Sequence, residues 1–195
     1  LCYNNFMMPG SKDLLTTTSF HMEVSTVTVL ETAKKMIDYS HGNLHDINHF
    51  MKVYAYAKMI ADGEQLDPDT QKLVEMTALV HDIACPLCRV KYGNTNGKNQ
   101  EKESAALIAE FFKDSNLPQD FTDRISFLVS HHHTLDQIDG IDYQIIIEAD
   151  YLVNADESHF SGHNIKNMYD KIFKTETGKF LLRSMYQNCL ENETL

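Results

Sequence analysis

The stretch Tyr143 to Glu157 constrains the fold more than any other. Ile145, Ile146, Ile147, Ala149, Leu152 and Val153 surround most of its circumference. A helix that is apolar on nearly every side belongs in the interior. Two carboxylates, Glu148 and Asp150, are embedded in it. A buried carboxylate is costly unless it is paired, hydrogen-bonded or bound to a metal. The remainder of the chain must therefore supply partners for both. Asn154 lies one turn after Asp150, on the same face.

Apolar residues recur at helical spacing elsewhere too. Val24 to Tyr39 reads as an amphipathic helix, with Val27, Leu30, Ala33 and Ile37 inward and Lys34 and Lys35 outward. His41-Gly42-Asn43 breaks it. A second helix runs from Leu44 to about Asp62, its inner stripe formed by Val53, Ala57 and Ile60. Asp67 caps a third that starts at Pro68 and carries Leu73, Met76, Ala78, Leu79 and Val80 inward. From Ile83 to about Gln100 the chain reads as a long polar loop, locally basic at Arg89, Lys91 and Lys98. Further helices are predicted over 103–113 and 121–130, with one or two more after Ser158. Strand alternation is nearly absent, so the expected fold is all-α, a single-domain helical bundle over residues 23–195 preceded by an arm over 1–22.

Charge and composition exclude several roles. The net charge is −11, from 28 acidic and 17 basic residues, which argues against a nucleic-acid polymer as partner. An anionic substrate must then be attracted by a local feature such as a metal ion. No apolar run approaches the ~20 residues of a membrane helix. The N-terminal residues lack a basic region followed by an apolar stretch, so a cytoplasmic location is expected. Cys2, Cys85, Cys88 and Cys189 are expected to be reduced. Cys85-Pro-Leu-Cys88 has the spacing of half a zinc site or a redox pair, but no second pair completes a site. The pair reads instead as two small apolar side chains in the loop.

Ligand-type residues stand at the inner ends of these helices. His49 lies one turn before Val53, on its inward face, and His45 lies one turn before His49. His81-Asp82 follows Ala78-Leu79-Val80. Neighbours on a helix point about 100° apart, so both reach one ion only if it lies between the two directions. Imidazole nitrogens and carboxylate oxygens are ligands for first-row divalent metals. His131-His132-His133 ends the apolar helix over 121–130. The metal set is therefore read as His49, His81, Asp82 and Asp150.

The order His, His-Asp, Asp, with the contexts Asp46-Ile47-Asn48-His49, Leu79-Val80-His81-Asp82-Ile83 and Glu148-Ala149-Asp150-Tyr151-Leu152, resembles the HD-domain metal-dependent phosphohydrolase superfamily. The resemblance spans residues 43–157. It implies a helical bundle with a central metal site that hydrolyses phosphomonoesters or phosphodiesters, often of nucleotides. The implied cofactor is a divalent transition metal, Mn, Fe, Co, Ni or Zn. Asp82, His131 and His132 are the implied catalytic residues. His131 and His132 also match the place where dinuclear members hold a second ion. Such members carry a further histidine before that pair, whereas no histidine occurs from residue 83 to 130, and Gln100-Glu101 stands nearest the expected position. No Gly-Tyr-Pro follows His132 either, which removes the cyclic-dinucleotide branch. One ion is thus favoured over two, leaving the histidines to contact phosphate or move protons. Arg89, Lys91, Lys98, Gln100, Glu101 and Asn154 are the expected substrate contacts. The expected partner is a small phosphorylated substrate, and a homodimer stays open. The alternatives are a mixed-valence di-iron oxygenase on the same scaffold and a nucleotide sensor without turnover.

Overall fold

A computed structural model describes residues 26–191. All regular structure among them is helical: α1 (Val29–Tyr39), α2 (Leu44–Gly63), α3 (Pro68–Val80), α4 (Cys85–Tyr92), α5 (Gly97–Phe112), α6 (Gln119–Val129), α7 (Ile141–Glu157), α8 (Gly162–Lys171), α9 (Glu176–Met185) and α10 (Gln187–Glu191). No helix among the described residues is long and apolar enough to cross a membrane. The expected arm, Cys2 and the first residues of the helix expected from Val24 lie outside the described residues.

Local chemistry sets the helix ends. Thr28 and Glu31 form a reciprocal capping box on α1. Asn43 accepts from the Asp46 amide at the start of α2. Asp67 accepts from the Asp69 and Thr70 amides, with Pro68 in the first turn of α3. The buried positions of α1 are Thr32 and Met36, whereas Leu30 and Ile37 are exposed, so the expected inward stripe is rotated. The Thr32 hydroxyl meets the Thr28 carbonyl at 3.0 Å, which lets a polar side chain face inward at little cost.

The predicted loop over 83–100 is mostly helical. Pro86 falls in the first turn of α4, where the missing amide proton costs nothing. Gly93 ends that helix with φ 70°, a conformation that suits glycine. Only residues 93–96 then separate α4 from α5. Cys85 and Cys88 are free and buried on α4.

Helices α2, α3 and α7 pack on one another at the centre, α6 lies against α3, and α8, α9 and α10 gather at one end. The apolar core has two lobes. One joins Val53, Ala57 and Ile60 of α2 to Ile145, Ile146 and Leu152 of α7. The other joins Met76 and Leu79 of α3 to Ile125 and Leu128 of α6 and Tyr143 and Ile147 of α7. Glu148, fully buried, does not face the metal-type residues. Its carboxylate accepts from Gln144 Nε2 at 2.7 Å, the Lys174 amide at 2.6 Å, the Thr175 amide at 3.0 Å and the Thr175 hydroxyl. Glu148 therefore clamps the segment before α9 onto α7. Gly178 allows this, because a Cβ there would lie 2.0 Å from the Glu148 carboxylate.

Candidate metal centre

Three helices and two turns meet at one cluster. His49 projects from the first half of α2, and Asp150 from the middle of α7. His81 caps α3, and Asp82 lies in the turn that leads into α4. His81 keeps a helical backbone, φ −55° and ψ −37°, and its Nε2 and Asp82 Oδ2 lie 3.8 Å apart, close enough to serve one ion between them. His49 Nε2 lies 3.2 Å from His81 Nε2, 3.3 Å from Asp150 Oδ1 and 3.5 Å from Asp82 Oδ2. His81 Nε2 lies 3.4 Å from Asp150 Oδ1 and 3.8 Å from Asp82 Oδ2.

The hydrogen bonds fix the tautomers. His81 Nδ1 donates to the Ala78 carbonyl at 2.7 Å. His49 Nδ1 donates to Glu157 Oε2 at 2.8 Å, and Lys52 Nζ donates to the other oxygen of Glu157 at 2.9 Å. With both Nδ1 protons committed, the neutral rings would face each other through their Nε2 lone pairs. Such a contact repels unless a cation or a proton lies between them. The donor set of two imidazoles and two carboxylates fits a divalent transition metal.

A second donor set adjoins the first. Asp82, His132 and His133 offer ligand atoms that lie within 4.8 Å of one another. His132 Nδ1 donates to the Val129 carbonyl at 2.7 Å. Its Nε2 is buried without a hydrogen-bond partner, 3.6 Å from Asp82 Oδ1. An unpartnered buried ring nitrogen aimed at a carboxylate is a further fit to a metal ion. The two sets meet at Asp82.

The expected pair was His131 and His132; His131 belongs to neither set. Its Nδ1 donates to the Phe127 carbonyl at 2.7 Å, and its ring stacks on Phe127 at 4.4 Å. His133 takes the place expected for it. Tyr143 decides this: its hydroxyl donates within the 131–134 turn, to the His131 and Thr134 carbonyls, and so sets which imidazoles face inward. Gly97 leaves room for the result, since a Cβ there would approach His133 to 2.6 Å. Glu157 and His133 are the residues that sequence reasoning missed. The lone signal for Glu157 was its position two turns after Asp150 on α7.

The electrostatics follow from this crowding. Burial lowers the pKa of His49, but the hydrogen bond to Asp150, the charges of Asp82 and Asp150 and the bond to Glu157 outweigh it and raise the pKa to about 9. Burial works against ionisation of Asp150 too, yet the bonds from His49 and His81 hold its pKa well below the usual range. Asp82 is also held low, by the nearby charges of His81, His132 and His49, against its own burial. Crowding of its ring nitrogens by protein, and then the charge of His132, lower His133 to about 4, although the residue as a whole is exposed at the edge of the cluster.

A polar cavity of about 300 Å³ opens onto the cluster, lined by His45, Asp46, Arg89, Thr95, Gln100 and Glu157 among others. Larger hollows exist, one of about 540 Å³ beside Lys72 and Phe121, but that one contains no imidazole. The expected substrate contacts divide on this basis. Arg89 lines the cavity, paired with Asp46. Gln100 lines it, buried, with Nε2 donating to the Thr95 carbonyl at 3.0 Å. Asn154 lines it and donates to Asp150 Oδ1 at 2.8 Å. Lys91 is instead held by Glu103 at 2.8 Å, and Glu101 accepts from the Thr134 hydroxyl at 3.0 Å. Neither of these, nor Lys98, lines the cavity. His45 stands at its mouth, outside both donor sets.

Comparison with known proteins agrees with this architecture. The family model of the HD domain matches residues 46–156. Among solved structures, a predicted HD superfamily hydrolase from an uncultured Thermotogales bacterium superposes with a TM-score of 0.57 at 20% identity, covering 84% of this chain and 86% of that one. The likeness extends to the fold. No curated protein matches the chain. The family match covers more than half of the sequence and includes both helices that bring His49 and Asp150 to His81-Asp82, so the chain belongs to the HD-domain family.

Proposed function

We infer that this protein is a metal-dependent phosphohydrolase that acts on a phosphomonoester or phosphodiester, a nucleotide or a related small phosphorylated metabolite. One observation carries the reading. Three imidazoles, those of His49, His81 and His132, spend their Nδ1 protons on Glu157, the Ala78 carbonyl and the Val129 carbonyl and turn their Nε2 atoms toward Asp82 and Asp150. Such a set is preorganised for a cation, not for a neutral ligand. When bound, a divalent ion there supplies Lewis-acid polarisation of a phosphoryl oxygen and makes water a stronger acid.

The residues of the chain then have separable tasks. His49, His81, Asp82 and Asp150 hold the resident ion. Glu157, charge-balanced by Lys52, fixes the ring of His49. Asp82, His132 and His133 form a set with a single carboxylate, so one ion is resident and a second binds there only at higher metal concentration. His133, neutral at pH 7, offers a ring nitrogen to a proton or to phosphate at the polar cavity. Arg89 supplies the nearby cationic side chain for substrate phosphate.

The test is phosphate release over a panel of nucleotides, sugar phosphates and phosphodiesters, with the protein loaded in turn with Mn, Fe, Co, Ni and Zn. Release that a chelator abolishes and metal restores is expected. No release with any metal, or oxygen consumption without phosphate release, overturns the reading.

A further inference from the structure

The metal cluster has a second, chemically different neighbour. Beside it lies a cavity of about 240 Å³ lined by Leu135, Ile147, Tyr151, Phe160 and Met168. His132, His133, Asp150, Asn154 and Asn164 complete its wall, so it touches both donor sets. The rings of Tyr151 and Phe160 lie 5.5 Å apart at 40° and form an aromatic side wall. The Tyr151 hydroxyl donates to Oδ1 of Asn164, another residue of the wall, at 2.6 Å, so that phenol already has its hydrogen-bond partner. The apolar exposed surface at this place is unusual for a pocket that also touches three histidine and carboxylate ligands. The polar cavity, lined by Asp46, Arg89, Thr95 and Gln100, has the opposite character.

We propose that the apolar cavity is the subsite for the organic group of the substrate, and that this group is a planar, weakly polar ring. The proposal rests on the phosphohydrolase reading for the position of the phosphoryl group at the metal cluster. A ring that leaves that point toward α8 meets Leu135, Phe160 and Met168 and gains stacking and apolar burial. A hydroxyl-rich group placed against Leu135, Phe160 and Met168 loses hydration that these three side chains do not replace, and the Oδ1 atoms of Asp150 and Asn164 are already engaged by Asn154 and Tyr151.

The test is calorimetric binding of phenylphosphonate and methylphosphonate to the metal-loaded protein, which needs no turnover. Phenylphosphonate is expected to bind about tenfold tighter or more, the share of affinity a buried ring supplies. The ratio is expected to fall toward one in Leu135→Asp, an exposed position where the change spares the core, and in Phe160→Ala. Equal affinities for the two phosphonates, or an undiminished ratio in both variants, overturn the subsite while leaving the phosphohydrolase reading in place. Failure of both phosphonates to bind the metal-loaded protein overturns both readings.

Discussion

Metal loading and pH should pull the stability of this protein in opposite directions, because His49 carries a proton where a metal ion belongs. Its folded pKa of about 9 lies above the ordinary ~6.5 of an unfolded histidine. The proton on His49 therefore stabilises the metal-free fold fully below pH ~6.5, and that stability is lost as the pH rises through about 9. That difference corresponds to about 3 kcal/mol. Burial lowers the pKa of His132, but the Asp82 carboxylate 3.6 Å away outweighs it and raises it, which adds to the loss. His133 is shifted the other way, to about 4, so its effect is spent below pH ~6.5 and leaves the range above 7 untouched. For metal binding the sign reverses. At pH 7 an ion must displace the His49 proton, which costs about a hundredfold in affinity. Apparent metal affinity should rise about tenfold from pH 7 to 8 and level off near 9. Urea unfolding of the chelated and the zinc-loaded protein at pH 6.5, 7, 8 and 9 reads both slopes, and calorimetry in two buffers counts the proton released. A chelated protein whose stability stays level or rises between pH 7 and 9, or a metal affinity that ignores pH there, would refute the argument.

Further outcomes can be stated briefly. Asp82→Ala removes a carboxylate that lies 3.5 Å from His49 Nε2 and 3.6 Å from His132 Nε2; elemental analysis should find the metal lost with helical circular dichroism unchanged, and full occupancy would contradict its role as a ligand. Glu157→Gln keeps the shape but not the charge beside His49, and should weaken metal binding by about 10- to 100-fold while the fold persists; unchanged affinity would reduce Glu157 to a surface partner of Lys52. His133→Ala should lower kcat by about 10²–10⁴ with the first ion retained, whereas His131→Ala, which loses only the Phe127 contacts, should alter neither metal content nor rate; equal effects of the two substitutions would contradict the orientation of the turn. Neutralising Lys91 or Lys98 should leave KM near the parent value, and neutralising Arg89 should raise it; equal effects would show that the cavity does not select among the three cations.

Much of the architecture was legible in the residues. Helix starts at Leu44 and Pro68 follow from Asn43, Asp67 and the apolar periodicity, all interactions within one turn of chain. The order of ligand-type residues, His49, His81-Asp82 and Asp150, was legible for a related reason: each stands in an apolar local context that has only one inward direction. Helix α4 was not legible, because Pro86 and the polar residues after it look like loop until the first-turn position of the proline is known. The fate of the two carboxylates of α7 was undecided for the same cause. Both are buried, and the sequence pattern marks both as needing partners. Thr175 and the Lys174 amide claim Glu148, while His49 and His81 face Asp150. Which members of His131-His132-His133 face inward was likewise beyond reach, since adjacent residues in a turn differ only by how that turn is held. The Tyr143 hydroxyl and the bare Cα of Gly97 hold it, from helices that local spacing does not relate to it. Periodicity along the chain determines which residues must be buried; the contacts between distant helices determine which of those meet.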